Sequence, residues 1–388
     1  MKRRSCLWGA VLCTLLSTAC ERLDDDPDQH VSGAEALFTL DDVARLLSGV
    51  PVGAAQMVEV HDAVEASSGN GYDEEYTLQD LFTTPGAGVG SGGETRAGGY
   101  DHPLRDLLRT AVQAKAATKA EDGGIDDPEA YLDALAASDV QIYWPYSERW
   151  DGMTRPVITF DPGDNSERNV GYTLDGEELV VDEALAMERP VWVVNRNADA
   201  EFMSLELRRR EDPSWGQGGG EILVKSAGEE SGIKTLVLRS FMARRNYDPW
   251  FAGASEFFVK VGAVEDFTAS TEAELRLYSP SITDFMIVVR RSQVGQTLPF
   301  NAVLVSEWTP QLLDCAFMMI EDDGGTRTSW KCSAMVKYNS KSYGFEIELP
   351  LYTRDDIVWR GSLSRSYIEK YAGTVGHFGD VDLVLDLI

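Results

Sequence analysis

Apolar side chains recur at helical spacing up to about residue 138 and at strand spacing after it. Leu40, Val43 and Leu47 fall on one helical face behind Thr39, with Asp41 and Asp42 in the first turn and Gly49 as a stop. Met57, Val60 and Val64 mark a weaker helix over 55–66. Leu104, Leu107, Leu108, Ala111 and Val112 form a stripe over 102–119 that Asp101 would cap, and Tyr131, Leu132 and Leu135 follow the Asp127-Pro128 start signal. From Asp139 the period drops to two. Val140, Ile142 and Trp144 alternate with Gln141 and Tyr143, and Pro156 to Phe160 reads as the next strand. Tyr172-Thr-Leu and Leu179-Val-Val flank Asp175-Gly176, a two-residue hairpin signal. Further strands are expected at Val191 to Val194, Ile233 to Phe241, Phe257 to Val261 and around Leu275 and Leu277. Phe285 to Val289 is continuous and reads as central. Residues 198–210 fit strand and helix equally. The expected class is α+β: a helical N-terminal region, 39–138, followed by a mainly antiparallel β-sandwich region, 139–388, as one unit or as two, 139–247 and 248–388.

The best-specified hairpin turns at Asp323-Gly324. In that register Cys315 stands opposite Cys332 at a non-hydrogen-bonded position, Phe317 opposite Trp330, and Met319 opposite Thr328. A cross-strand disulfide between Cys315 and Cys332 follows in an oxidising compartment, with two buried thiols as the alternative if the geometry is strained. Tyr343 to Leu349 continues a meander, Ile357-Val-Trp359 offers one more strand, and Val381 to Ile388 would close a sheet edge.

The N-terminus changes the picture of where such a fold would work. Lys2, Arg3 and Arg4 precede an apolar run from Cys6 to Leu16, too short to span a bilayer, and then Leu16-Ser-Thr-Ala-Cys20. This pattern resembles the lipobox of bacterial lipoproteins, in which the cysteine is lipidated and becomes the new N-terminus. It differs at Ser17, where that motif carries an aliphatic residue. Ser17 and Ala19 also satisfy the small-x-small rule of plain secretion, so both readings remove residues 1–19 and differ only in lipidation of Cys20. The resemblance implies an exported, lipid-anchored protein of the cell envelope, at the outer membrane. An acidic tether, 20–38, carries Asp24, Asp25, Asp26 and Asp28. The whole chain has 35 basic and 64 acidic side chains, a net charge of −29, and loss of the three leading cations takes it to −32. Nucleic acid is excluded as a partner by repulsion, and membrane contact is left to the lipid.

Motifs that specify chemistry do not emerge. His30, His61, His102 and His377 show no metal spacing, and His61 and His102 read as solvent-facing or capping residues. No serine occupies a GxSxG elbow. Gly88 to Gly93 matches GxGxxG in letters, but Pro85 precedes it and further glycine follows, where a phosphate loop needs a strand and a helix. Two patterns point to ligands. Turn carboxylates, with Asp161, Asp164 and Asn165 in one turn, Glu321, Asp322 and Asp323 in another and Asp355 and Asp356 in a third, could gather oxygens around Ca²⁺. Trp215, in a glycine-rich loop, and Trp250, in Asp248-Pro-Trp-Phe251, could stack on a sugar or enter a partner; the alternative is that each folds back on the sheet. The expected function is a non-catalytic binding module for a glycan, peptide or envelope protein. The rival is a secreted hydrolase with a spatially assembled, calcium-supported carboxylate site.

Overall fold

The computed structural model describes residues 37–83, 100, 102–117, 125–163, 166–197, 202–211 and 232–388. Cys20, Asp164 and Trp215 fall outside them. Helix α1, Leu40–Ser48, starts at a reciprocal cap: the Thr39 hydroxyl accepts the Asp42 N–H, and the Asp42 carboxylate accepts the Thr39 N–H. Helix α2 spans Ala54–Gly69. After strand β1, Glu75–Thr77, come α3, Leu78–Phe82, α4, Leu104–Ala117, and α5, Pro128–Ala136, the last capped by Asp127. The first N–H of α4 donates to Glu59 of α2, a buried carboxylate that serves as a cap from another helix.

Strands β2, Val140–Tyr143, β3, Val157–Phe160, β4, Arg168–Thr173, β5, Glu178–Asp182, and β6, Val191–Arg196, join β1 in a six-stranded sheet ordered β1-β2-β6-β3-β4-β5. Its pairings are antiparallel except for β3 with β6. Helix α6, Glu183–Glu188, links β5 to β6. Strand alternation gives the sheet two apolar faces. Ile142, Ile158, Trp192 and Val194 pack on Val43, Leu47, Val60 and Leu132 of the helices. Tyr143, Val157, Val191 and Val193 point the other way and are covered by Trp250 and Phe251. Burying a large apolar side chain contributes about 1.5–3 kcal/mol, so each face needs a cover. The helices of 39–138 and the strands up to β6 thus share one core.

Helix α7, Leu205–Glu211, settles the ambiguous stretch and opens a second unit. Its strands are β7, Lys234–Ala243, β8, Ser255–Ala263, β9, Ser281–Val289, β10, Leu298–Trp308, β11, Leu312–Glu321, β12, Arg327–Tyr338, β13, Lys341–Tyr352, β14, Asp356–Ser364, β15, Val375–Phe378, and β16, Val381–Leu387, with short helices α8, Glu272–Leu275, and α9, Arg365–Tyr371. One sheet runs β10-β7-β16-β15; the other runs β13-β12-β11-β8-β9, with β14 also on β11. They share a core that includes Phe241, Phe257, Trp308 and Phe317, and the Phe241 and Phe257 rings meet across it at 5.2 Å. The fold is α+β, sheet-rich and mostly antiparallel, with its helices mainly N-terminal.

Three local expectations are corrected. Leu275 and Leu277 are not in a strand, because Thr271 caps α8 through the Glu274 N–H while the Glu274 carboxylate accepts the Ser270 N–H; capping outweighs the alternation. Strand β9 ends its sheet rather than lying centrally, its buried run touched by α7 and bridged at Met286 by Ser204. Strand β16 is internal, between β7 and β15.

The hairpin register is also overturned. Positive φ falls at Gly324 and Gly325, 69° and 98°, rather than at Asp323 and Gly324, so a two-residue turn does not form. The Asp322 N–H donates to the Glu256 carbonyl, and β11 takes β8 on that edge from Ala316↔Gly262 to Glu321↔Phe257. Strand β12 meets β11 only at Leu312↔Val336 and Asp314↔Met335 and pairs with β13 along its length. Cys315 consequently lies opposite Leu363, Cys332 lies opposite Ile347, and both are free thiols. Reductant is therefore expected to leave the melting temperature of the soluble chain unchanged to within about 1 °C, whereas loss of a disulfide worth about 2–4 kcal/mol would lower it by several degrees.

Candidate functional site

Along β11 the inward row Cys315, Phe317, Met319 continues to Glu321, and the register places Glu321 beside Phe257 of β8 and Asp356 of β14. A carboxylate thus takes the last place in a row of core side chains. Glu321 is 0% exposed, and neither of its side-chain oxygens meets a donor. Asp248 approaches from the connector after β7, and its Oδ2 is likewise buried without a donor. The half-buried Glu256 comes from the start of β8. One oxygen from each of Asp248, Glu256 and Glu321 lies within 4.8 Å of the other two. Burial, then the neighbouring carboxyl of Asp248, pushes Glu321 upward. Burial also raises Asp248, against the opposing bond with Glu321. Two carboxyls in hydrogen-bond reach of each other attract only through a shared proton or a shared cation.

The connector that carries Asp248 is held by Arg291, whose side chain is 7% exposed. Its Nη2 donates to the Asp248 carbonyl at 2.7 Å, Nε to the Gly253 carbonyl at 3.1 Å, and Nη1 to Glu183 Oε1 of the first unit at 3.0 Å. Beside it the Ala254 N–H donates to buried Asp73, and the next residue, Glu74, accepts from the Tyr146 N–H, the Ser147 N–H and the Ser147 hydroxyl. The acid cluster therefore sits where the two cores meet.

A second carboxyl pair lies just beyond. Burial, with Asp322 beside it, raises Asp355 to about 6 against the bond from the Tyr352 N–H. Asp322 Oδ1 accepts the Gly324 N–H, and the exposed Asp323 is raised by residual burial and by Asp356 and Asp322. Asp322 and Asp323 thus stand at the acidic end of β11, as neighbours of the three clustered carboxylates rather than members of them. Asp161 is not among those carboxylates: it closes a turn of the first sheet by accepting the Gly163 N–H.

Asp322 also lines a cavity of about 170 Å³ between the β8–β9 sheet and the β12–β13 ribbon. Phe258, Ile320 and Leu351 give it an apolar bed, while Lys260, Asp284, Arg327 and Tyr352 give it polar walls. Lys260 Nζ donates to Asp284 Oδ2 at 2.9 Å, and Asp284 Oδ1 is buried without a donor.

Trp250 is 4% exposed, stacks on Phe251 with ring centres 3.9 Å apart, and donates its indole N–H to the Glu167 carbonyl. It is a core residue, correcting its expected ligand role, because the outer face of the first sheet requires an apolar cover. The same loop supplies Asp248 instead. His61 is half-buried, its ring 5.6 Å from Trp144 and 5.2 Å from Trp150. Glu321 was expected as a turn carboxylate beside Asp322 and Asp323; extending the row 315, 317, 319 by one step places it instead at an inward strand position. Asp248 and Glu256 were missed. Asp248 gave no signal, because nothing local to Asp248-Pro-Trp-Phe251 encodes the distant partner.

No protein-family model, curated protein or solved structure matches the chain.

Proposed function

We propose that this chain is exported, anchored through lipid on Cys20 in the cell envelope at the outer membrane, and acts as a non-catalytic binding module that takes a glycan in the cleft beside β8 and β12. The positive, apolar, small-residue and cysteine sequence of the first twenty positions supports export. The binding role rests on one observation, the buried Asp284 Oδ1 that lacks a donor in a cavity whose other walls are Lys260, Arg327 and Asp322. Alternating acceptors and donors over an apolar bed suit sugar hydroxyls, each of which both gives and takes a hydrogen bond. The pair Asp248–Glu321 would suit acid–base work, yet Glu321 is fully buried and the cavity lining does not include it, which favours binding over hydrolysis.

Calorimetric titration of the soluble chain from Glu21 onward with neutral and N-acetylated mono- and disaccharides tests the cleft. At least one is expected to bind, and Asp284→Asn and Arg327→Ala are each expected to weaken it about tenfold, roughly 1.4 kcal/mol. Silence across the panel, or full affinity in both variants, removes the cleft as the glycan site.

A further inference from the structure

We propose that the cavity walled by Trp144, Tyr146, Trp150, Arg149 and Arg189 in the first unit binds a carboxylate carried on a short apolar stem, either a free small acid or the C-terminus of a chain. The site is separate from the cleft beside β8 and β12 and goes beyond the glycan reading. The connector between β2 and β3 and the segment between α6 and β6 build it, and they enclose about 70 Å³. Tyr146 supplies one wall in a strained conformation. Its φ of 60° is left-handed, which a residue with a bulky side chain keeps only when its surroundings impose it. Here the Glu74 carboxylate accepts the Tyr146 and Ser147 N–H groups, and the Tyr146 hydroxyl donates to Glu183 Oε1 at 2.8 Å. Trp150 is fixed beside it by donating its indole N–H to the Thr154 carbonyl at 3.0 Å, and its ring meets that of Trp144 at 5.6 Å. The walls are therefore held in place before any ligand arrives.

What these walls lack is an acceptor. Arg189 Nε is buried and donates to nothing, while Nη2 of the same side chain donates to the Arg155 carbonyl at 3.0 Å. Among the described residues Arg189 has no carboxylate in ion-pair reach. Arg149, its guanidinium 4.6 Å from the centre of the Tyr146 ring, reaches Glu148 at 3.9 Å with both side chains about half exposed, a pairing of little strength in water. The two acids at the cavity do not answer these cations. Asp151 is occupied by the Met153 N–H, the Thr154 N–H and the Thr154 hydroxyl, and Glu188 is exposed without an ion pair among the described residues. A buried guanidinium donor with no acceptor is costly, so the arrangement suits a group that both accepts hydrogen bonds and carries negative charge. The walls then choose among anions. Sulfate and phosphate present oxygen on every side, whereas Trp144, Tyr146 and Trp150 offer apolar surface to the far end of a ligand, and Met187, 42% exposed, extends it at the rim. A carboxylate is polar at one end alone. With about 10–15 Å³ sufficient for one water, 70 Å³ admits on the order of five small groups, a short acid rather than a sugar ring.

The test uses the soluble chain from Glu21 onward as wild type, Arg189→Gln, Arg149→Ala and the control Arg168→Ala. Sodium propionate and sodium butyrate are titrated calorimetrically, with butyramide and sodium sulfate beside them, and N-acetyl-dialanine is run with its C-terminus free and amidated. Wild type and Arg168→Ala are expected to bind butyrate about one to one and to bind butyramide and sulfate at least about tenfold more weakly. Arg189→Gln is expected to weaken butyrate at least about tenfold and Arg149→Ala about threefold. A thermal melt shows that each variant is folded. Should Arg189→Gln fail to fold, Arg189→Lys replaces it, with the same tenfold weakening expected because an ammonium cannot set a donor where Nε stands. Tighter binding of the free-ended dipeptide than of butyrate would support a chain terminus as the occupant, and the reverse order a free acid. Wild type that ignores every carboxylate would leave Nε to water and overturn the proposal. Butyramide that binds as well as butyrate would overturn the assignment of a charged ligand. Butyrate affinity undiminished in both the Arg189 and Arg149 variants would overturn the site.

Discussion

Replacing Arg291 with alanine is expected to destabilise the native state by about 3–5 kcal/mol, the usual cost of removing one partner from a buried charged contact. The guanidinium is nearly sealed from solvent and spans three segments: the Asp248 and Gly253 carbonyls of the connector and the Glu183 carboxylate of the first unit. Alanine leaves both carbonyls short of a donor and Glu183 short of its cation, and it withdraws a positive charge that favours ionised Asp248 and Asp73. Arg291→Lys should recover only part of the loss, because one ammonium cannot reproduce a planar fork directed at three acceptors. Urea denaturation of the three proteins decides it. A change below about 1 kcal/mol in the alanine variant would mean that the junction is held by apolar contacts such as Trp250 on the first sheet, with Arg291 incidental.

The longer N-terminal helices and most strands were legible because each writes its own local pattern, whereas the short helices α3, α6 and α9 went unread and α8 was expected as a strand. Thr39 with Asp42, and Asp127 with Pro128, are caps defined within four residues, and they appear where the sequence puts them. The alternation in Val140 to Trp144 predicts one buried face, whereas the structure buries both, because helices cover one and Trp250 with Phe251 the other. Long-range pairing was not legible. The 315–332 segment satisfied every local rule for a hairpin, yet β8, some sixty residues earlier in the chain, competes for the same edge of β11 and wins it over six paired positions. That one exchange separates Cys315 from Cys332 and leaves β12 paired along its length with β13 alone, the part of the expected meander that does form. It also divides the expected turn cluster of Glu321, Asp322 and Asp323: Asp322 and Asp323 stay in the turn, whereas strand parity buries Glu321.

Glu74 should make stability fall as the medium becomes alkaline. It is wholly buried, and burial together with the adjacent Asp73 carboxyl raises it to about 8 from an ordinary 4.5. Between those values the native protein keeps a proton that the unfolded chain has released, so the native state binds more protons and unfolding becomes easier with each rise in pH. The contribution is complete below about pH 4.5 and is lost as pH climbs through 8, a total of a few kcal/mol, because each tenfold difference in proton affinity between the two states is worth roughly 1.4 kcal/mol. Glu74→Gln isolates it. The amide does not titrate, and it sets an NH₂ against one of the N–H groups of Tyr146 and Ser147 that now meet a carboxyl oxygen, so it costs stability by an amount that does not vary with pH. Urea denaturation at pH 5, 7 and 9, in chelator throughout, should therefore show a wild-type advantage over Glu74→Gln that shrinks steadily toward alkaline pH. An advantage that stays level from pH 5 to 9 would mean that the three donors from Tyr146 and Ser147 outweigh burial and hold Glu74 as a carboxylate in the native protein.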